Sequence, residues 1–186
     1  MNPTDVAMAD ADDALLVVVD VQGRLARLMH ESERMIRAQQ ILVRGCRRLD
    51  VPVVWAEQLP DKLGATVDEL HGPLEGLQPS AKSSFGCMGD ATLGGAIRDS
   101  GRGQVLLCGI EAHVCVWQTA AKLLDEGREV HVICDAVSSR SVFNRDIAFR
   151  RMEQAGARLS NVEMVLFELM RDASHPAFRD VTKLLK

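Results

Sequence analysis

Short continuous apolar runs recur along the chain, separated by longer segments in which apolar residues recur at helical spacing. Runs of this kind, bounded by glycine, proline or polar residues, are typical of buried strands. They predict strands at 14–20, 51–56, 104–109, 129–134 and 157–160. Because the runs are continuous rather than alternating with polar residues, we expect strands buried on both faces, as in a parallel sheet.

The intervening segments predict helices, one of which is expected to begin at Asn144 as its N-cap. The predicted helices lie at 31–49, 90–100, 115–126, 144–154, 161–169 and 176–186. Strands and helices that alternate in this way are joined by right-handed crossovers. The fold class is therefore predicted as α/β: a three-layer α/β/α, doubly wound, Rossmann-like domain with a mainly parallel sheet of about six strands.

The segment 59–89 interrupts this alternation with frequent glycine and proline. We expect an irregular loop there, with one short helix at 66–70. A long loop inside a compact domain usually carries function, and this one contains Lys82.

Composition places the chain of 186 residues, 47% hydrophobic and 26% charged, among ordinary globular proteins. We predict a flexible leader at 1–13, which has four aspartates and no basic residue, followed by a single domain at 14–186. The net charge of −4 and the lack of a basic stripe argue against a nucleic-acid partner. No apolar run approaches the roughly 20 residues that span a bilayer, so no membrane partner is expected.

The five cysteines form no paired spacing of the CxxC kind, so neither a disulfide framework nor a zinc knuckle is indicated. Free thiols and a leader without the features of a signal peptide predict a cytoplasmic location.

Three residues are candidates for chemistry because they follow strands or lie in the long loop: Asp20, Lys82 and Cys115. In a doubly wound sheet such points converge at one edge. Cys115 is expected at the start of a helix, where the helix dipole favours a thiolate. Spacing alone leaves other interpretations open: Asp20 is equally suited to capping a turn, and Lys82 to a solvated surface.

Three motifs carry a resemblance to a known family: 18–22 (VVDVQ), 82–85 (KSSF) and 109–116 (GIEAHVCV). In this order and at these separations they resemble the isochorismatase-like cysteine hydrolases, in particular the branch of isochorismatase domain-containing proteins. Further similarity lies at 57–58, 132–141 and 172–176, so the resemblance extends from Leu15 to the C-terminus.

The resemblance implies a catalytic triad of Asp20 as base, Lys82 as supporting cation and Cys115 as nucleophile. It also implies a cis peptide bond between Ile110 and Glu111, and an oxyanion hole formed by the backbone N–H groups of Glu111 and Cys115. The implied reaction is hydrolysis of a small amide or related C–N bond through a cysteine thioester, without a cofactor.

Two other functions stay open. Members of the nicotinamidase branch hold a metal with an Asp-x-His…His set; the matching region here offers only Asp61 and, further on, His71. We therefore predict no metal, and the metal-dependent amidase is an alternative. The other alternative is a catalytically silent scaffold for binding or oligomerisation.

Four further residues are candidates for the substrate pocket: Gln22, Phe85, His113 and Arg140. The predicted partners are a small-molecule substrate and further copies of the chain, in a dimer or tetramer.

Overall fold

A parallel sheet forms the centre of the computed structural model, which describes residues 8–186. The strands are β1 (Ala14–Val19), β2 (Val53–Gln58), β3 (Ser80–Lys82), β4 (Gln104–Gly109), β5 (Glu129–Val137) and β6 (Arg158–Ser160). In the described part of the chain these six strands form one sheet in the order β3-β2-β1-β4-β5-β6, and every neighbouring pair is parallel. The predicted fold class is confirmed.

Both faces of the sheet are covered at its centre. All six residues of β1 and all six of β4 are buried. Because successive side chains of a strand point to opposite faces, complete burial requires packing on both sides. The two strands pair in register, with Leu16 opposite Leu106 and Val18 opposite Cys108.

The helices flank this sheet. They are α1 (Gly23–Arg27), α2 (Ser32–Arg48), α3 (Pro60–Leu63), α4 (Asp68–His71), α5 (Ala91–Asp99), α6 (Trp117–Asp125), α7 (Val142–Gln154), α8 (Val162–Met170) and α9 (Phe178–Leu184). A 3₁₀ turn at Cys87–Gly89 precedes α5, and a π-helical turn at Ala112–Val116 precedes α6. Among the helices in residues 8–186, none is long and apolar enough to cross a membrane.

The order of the strands reverses between β1 and β4. From β1 the chain proceeds outward through β2 to β3, whereas β4, β5 and β6 lie in turn on the other side. A doubly wound sheet opens a crevice at such a switch point, beyond the carboxyl ends of the strands. Asp20 follows β1 directly, and Ile110 follows β4 directly. The topology therefore brings these two segments together.

The structure corrects several local predictions. The segment 59–89 contains a strand, β3, which pairs with the end of β2 and places Lys82 opposite Gln58. Helix α7 begins earlier than predicted: its cap is Ser141, whose hydroxyl accepts the N–H of Asn144. Asn144 therefore lies inside the first turn. The helix α1 was not predicted at all.

The predicted leader lies partly outside the described residues, which begin at Met8. The part that is described is attached to the domain. The N–H of Ala9 donates to Glu168 at 2.8 Å, and a carboxylate oxygen of Asp13 accepts the N–H of Gly103 at 2.6 Å. Residues 8–13 are thus held by contacts that the sequence pattern does not reveal, and the single-domain boundary stays a prediction.

Candidate active site

Asp20 ends β1 in a backbone conformation that is unusual for its residue type. Its φ angle is 52°, in the left-handed region that non-glycine residues seldom adopt. Its carbonyl accepts the N–H of Gln22 at 2.8 Å, so the chain turns sharply there. The side chain is only 3% exposed. This turn places a buried carboxylate in the crevice between β1 and β4.

Lys82 lies at the end of β3 and its side chain is fully buried. The Nζ atom donates to Asp20 Oδ2 at 2.7 Å and to Gln58 Oε1 at 2.7 Å. It also lies 3.1 Å from the carbonyl oxygen of Ser84 and 2.9 Å from that of Phe85. A buried ammonium ion is tolerated when it is paired and its donors are satisfied, as they are here.

Two glutamines hold the strands that carry this pair. Gln22 is fully buried; its amide donates to the carbonyls of Gln58 and Gly64 and accepts the N–H of Gln58 at 2.6 Å. The amide nitrogen of Gln58 in turn donates to the carbonyl of Ser83 at 2.8 Å. We therefore interpret Gln22 as a residue that positions Gln58 and, through it, Lys82, rather than as a wall of the substrate pocket.

The segment after β4 shapes the position of Cys115. Gly109 has a φ angle of 121°, and a Cβ atom there would collide with the backbone of Val19. Only glycine therefore permits β4 to approach β1 so closely at this point. The following peptide bond, between Ile110 and Glu111, is cis. The chain then enters the π-helical turn that contains Cys115.

Cys115 is 7% exposed, and its turn is tied to neighbouring elements. Its carbonyl accepts the hydroxyl of Thr119 at 2.7 Å, and that hydroxyl accepts the N–H of Cys87 at 2.9 Å. The N–H of Ala112 donates to the carbonyl of Ser138 at 2.8 Å. In the described part of the chain, the N–H groups of Glu111 and Cys115 donate to no residue outside this turn.

A cysteine at the start of a helix is expected to have a low pKa, but the thiol of Cys115 does not. Burial, and secondly the nearby Asp20 carboxylate, raise the pKa of Cys115 to about 12, against a lowering effect of Lys82. The physical reason is that Cys115 lies in a buried turn ahead of α6 and beside a negative charge. The resting group is therefore a thiol.

Asp20 is the acceptor that faces this thiol. Burial raises the pKa of Asp20 above its usual value, while the charge and the hydrogen bond of Lys82 and, to a smaller extent, the neighbouring Cys115 thiol lower it. Oδ2 is taken by Lys82. Within residues 8–186, Oδ1 is buried and no donor reaches it with good hydrogen-bond geometry. Oδ1 is thus the oxygen left to receive a proton.

The other predicted pocket residues lie around the nucleophile turn. The ring of His113 lies between Ser139 Oγ, 2.9 Å from Nδ1, and the side-chain amide of Asn144, 3.4 Å from Nε2. Arg140 donates to Glu111 Oε2 from its backbone N–H at 3.2 Å and from Nε at 3.1 Å. The Arg140 side chain is 59% exposed. Arg140 is thus already paired with a carboxylate of the protein.

Phe85 and the two candidate metal ligands, Asp61 and His71, make no contact with the Cys115 thiol in the described residues, although the carbonyl of Phe85 contacts Lys82. The Phe85 side chain is 55% exposed, while its carbonyl faces Lys82. His71 contacts the carbonyl of Thr66 at 3.0 Å and lies 3.8 Å from Asp68. In the described residues, Asp61 and His71 are not part of any group of three metal-ligating side chains.

A six-stranded parallel sheet in this order, with helices on both faces, defines a three-layer α/β fold. The model of the isochorismatase domain matches residues 14–164, and the chain belongs to this family. The resemblance inferred from the three motifs is confirmed.

Named relatives cover almost the whole chain. Isochorismatase domain-containing protein 2 from Danio rerio is 39% identical over 172 residues, 92% of this chain and 86% of that protein. The structure of the MAR1 ribonuclease from Caenorhabditis elegans has a TM-score of 0.90 at 37% identity and covers 96% of this chain and 92% of its own. The Escherichia coli YcaC gene product, described as an octameric hydrolase of unknown specificity, has a TM-score of 0.86 at 24% identity, covers 95% of each chain and shows the fold alone.

Proposed function

We propose that the protein hydrolyses small amides or related C–N bonds with Cys115 as nucleophile, Asp20 as general base and Lys82 as supporting cation. The observation that carries the proposal is the buried Asp20 carboxylate, which accepts a hydrogen bond from Lys82 through Oδ2, has no donor on Oδ1 within residues 8–186, and interacts with the Cys115 thiol. A thiol, a base and a cation in one buried crevice are what activation of a cysteine nucleophile requires.

In the proposed first step, Cys115 Sγ attacks the carbonyl carbon while its proton passes to Asp20. The raised pKa of Cys115 means that this transfer accompanies the attack, since little thiolate is present beforehand. The raised pKa of Asp20 suits a group that must first accept a proton and then give it to the leaving amine. Departure of the amine leaves a thioester on Cys115.

In the second step a water molecule attacks the thioester and gives its proton to Asp20. The acid product leaves, and the Cys115 sulfur recovers the proton. In both steps the negative oxygen is proposed to accept hydrogen bonds from the backbone N–H groups of Glu111 and Cys115, which lie in the turn after β4. Lys82 keeps Asp20 oriented throughout.

The substrate is expected to be small because Cys115 is nearly enclosed. His113, Phe85 and Arg140 are proposed to contact it at the rim. We further propose a cytoplasmic homo-oligomer, a dimer or tetramer. The apolar side chain of Phe143, which is 72% exposed, supports the association.

A panel of small primary amides, including N-carbamoyl compounds, tests the proposal through ammonia release. We expect the wild-type protein to release ammonia and Cys115→Ser to release none. The control Cys134→Ser removes a partly exposed thiol of β5 and should release ammonia like the wild type. Release that survives Cys115→Ser would refute the nucleophile. Failure of the whole panel would favour the silent scaffold.

RNA hydrolysis is a second candidate because a structural relative at 37% identity is named a ribonuclease. The net charge of −4 argues against it. Incubation of a fluorescently end-labelled RNA with the wild-type protein and Cys115→Ser decides between the two. Cleavage that is lost in the variant, without ammonia release from any amide, would replace the amidase proposal.

A further inference from the structure

Apart from the crevice of the candidate active site, a cavity of about 510 Å³ lies beside the carboxyl ends of β5 and β6. None of the three residues of the proposed triad lines it. We call it the β5–β6 cavity and define it by six of its lining residues. These are Arg34, Asp135, Arg145, Phe149, Leu159 and Met164. Its volume falls within the range of about 300–1,000 Å³ that is usual for small-molecule sites.

The cavity contains an uncompensated negative charge. Each arginine that lines it already has a carboxylate close by: Arg34 lies 3.6 Å from Glu31, and Arg145 lies 3.0 Å from Asp146. In the described residues, Asp135 has no cation within 4.0 Å. The charge that a ligand would have to complement is therefore that of Asp135.

Asp135 is held in place at the edge of the cavity by a hydrogen bond. Its Oδ1 atom accepts the N–H of Val162 at 3.0 Å, at the start of α8. The residue lines the cavity. Partial burial raises the pKa of this carboxyl group, against smaller lowering effects of backbone hydrogen bonds and of Arg34. A cationic donor in the cavity would relieve this cost.

Part of the wall is apolar and comes from three elements. Phe149 projects from α7, Leu159 from β6 and Met164 from α8. Leu159 and Met164 are exposed at 37% and 51%. An apolar ligand body would cover them, and an aromatic ring such as Phe149 also attracts organic cations.

We propose that the β5–β6 cavity binds a small organic ammonium ion with an aromatic or branched apolar body. The ammonium group would donate to the carboxylate of Asp135, and the body would lie against Phe149, Leu159 and Met164. The inference is independent of the proposed amidase activity, since neither Asp20, Lys82 nor Cys115 lines this cavity.

The test uses benzylamine, which is cationic at pH 7, and benzyl alcohol, a neutral molecule of nearly the same shape. Titration calorimetry on the full chain should give a Kd for benzylamine at least tenfold lower than that for benzyl alcohol. Asp135→Asn should weaken benzylamine binding at least tenfold. The asparagine oxygen can still accept the N–H of Val162, so this variant is expected to fold.

Two control variants locate the binding. Glu163→Gln removes an exposed charge from the first turn of α8, outside the cavity lining, and should leave the Kd unchanged. Asp20→Asn removes a buried carboxylate outside the cavity lining, one oxygen of which has no partner in residues 8–186, and should also leave the Kd unchanged. Absence of binding, equal affinity for benzyl alcohol, an unaffected Asp135→Asn, or a loss caused by Asp20→Asn would each overturn the proposal.

Discussion

Loss of the Lys82 ammonium should destabilise the protein far more than loss of a surface lysine. Lys82→Met removes a fully buried cation and leaves the Asp20 carboxylate, 3% exposed, without its ion pair. Breaking a buried pair in this way costs about 3–5 kcal/mol of unfolding free energy. Since a typical domain has only about 5–15 kcal/mol in total, the effect is large.

Lys122→Met is the matched control, because it breaks a pair with Asp125 in which the side chains are 51% and 69% exposed. Solvent screens exposed pairs of this kind, so the loss of this one should hardly change the free energy of unfolding. Urea unfolding followed by circular dichroism at pH 7 measures both variants. Equal losses in Lys82→Met and Lys122→Met would refute the view that Lys82 compensates a buried charge.

The pH dependence of the Lys82→Met variant provides an internal check. Burial already raises the pKa of Asp20 in the folded protein, and the loss of Lys82 removes an influence that lowers it. The folded state therefore binds a proton more readily than the unfolded chain, whose aspartate pKa is about 3.9. Stability lost at neutral pH should return as the pH falls through the folded-state pKa towards the unfolded value. A loss that does not change with pH would contradict this assignment.

Two further substitutions test the local geometry of the backbone. Gly109→Ala should lower the free energy of unfolding by about 3 kcal/mol or more, because it combines a φ angle of 121° with a collision against Val19. Gly127→Ala, with a φ angle of 77° and no atom near its Cβ, should lower it by about 1 kcal/mol. Similar thermal midpoints for the two variants would argue against a close approach of β4 to β1. Ser141→Ala should lower the free energy of unfolding by about 1 kcal/mol because it removes the cap of α7, whereas Asn144→Ala should lower it by less than about 0.5 kcal/mol. If urea unfolding showed the larger loss for Asn144→Ala, Asn144 would be the cap.

The main elements of the fold are predictable from the sequence because they are long and strongly patterned. The run at 14–19 is buried on both faces, as its continuous hydrophobicity predicts. Strand β3 has only three residues and no apolar run, so nothing in its local sequence identifies it. Its existence depends on pairing with the end of β2, which is a tertiary interaction.

The candidate site shows the same division. Asp20 and the nucleophile turn lie at the switch point because they follow strands whose positions the pattern predicts. The roles of Gln22 and Gln58 depend on contacts across more than twenty residues, and no sequence spacing encodes them. The pKa of Cys115 was wrongly predicted because helix position was considered alone, whereas burial and Asp20 outweigh it.

Site-resolved alkylation tests the central claim, that Asp20 activates Cys115, most directly. The folded protein is treated briefly with iodoacetamide between pH 5 and pH 9, and the modification of each of the five cysteines is measured by mass spectrometry. Cys115 should react first, and its rate should change little around neutral pH. The rate should decrease when the pH is lower than the raised pKa of Asp20, because the base is then protonated. In Asp20→Asn the rate should be at least about 100-fold lower. The claim would be contradicted if Cys134 reacted ahead of Cys115, or if the Cys115 rate were the same in Asp20→Asn and rose tenfold per pH unit, as for an unassisted thiol.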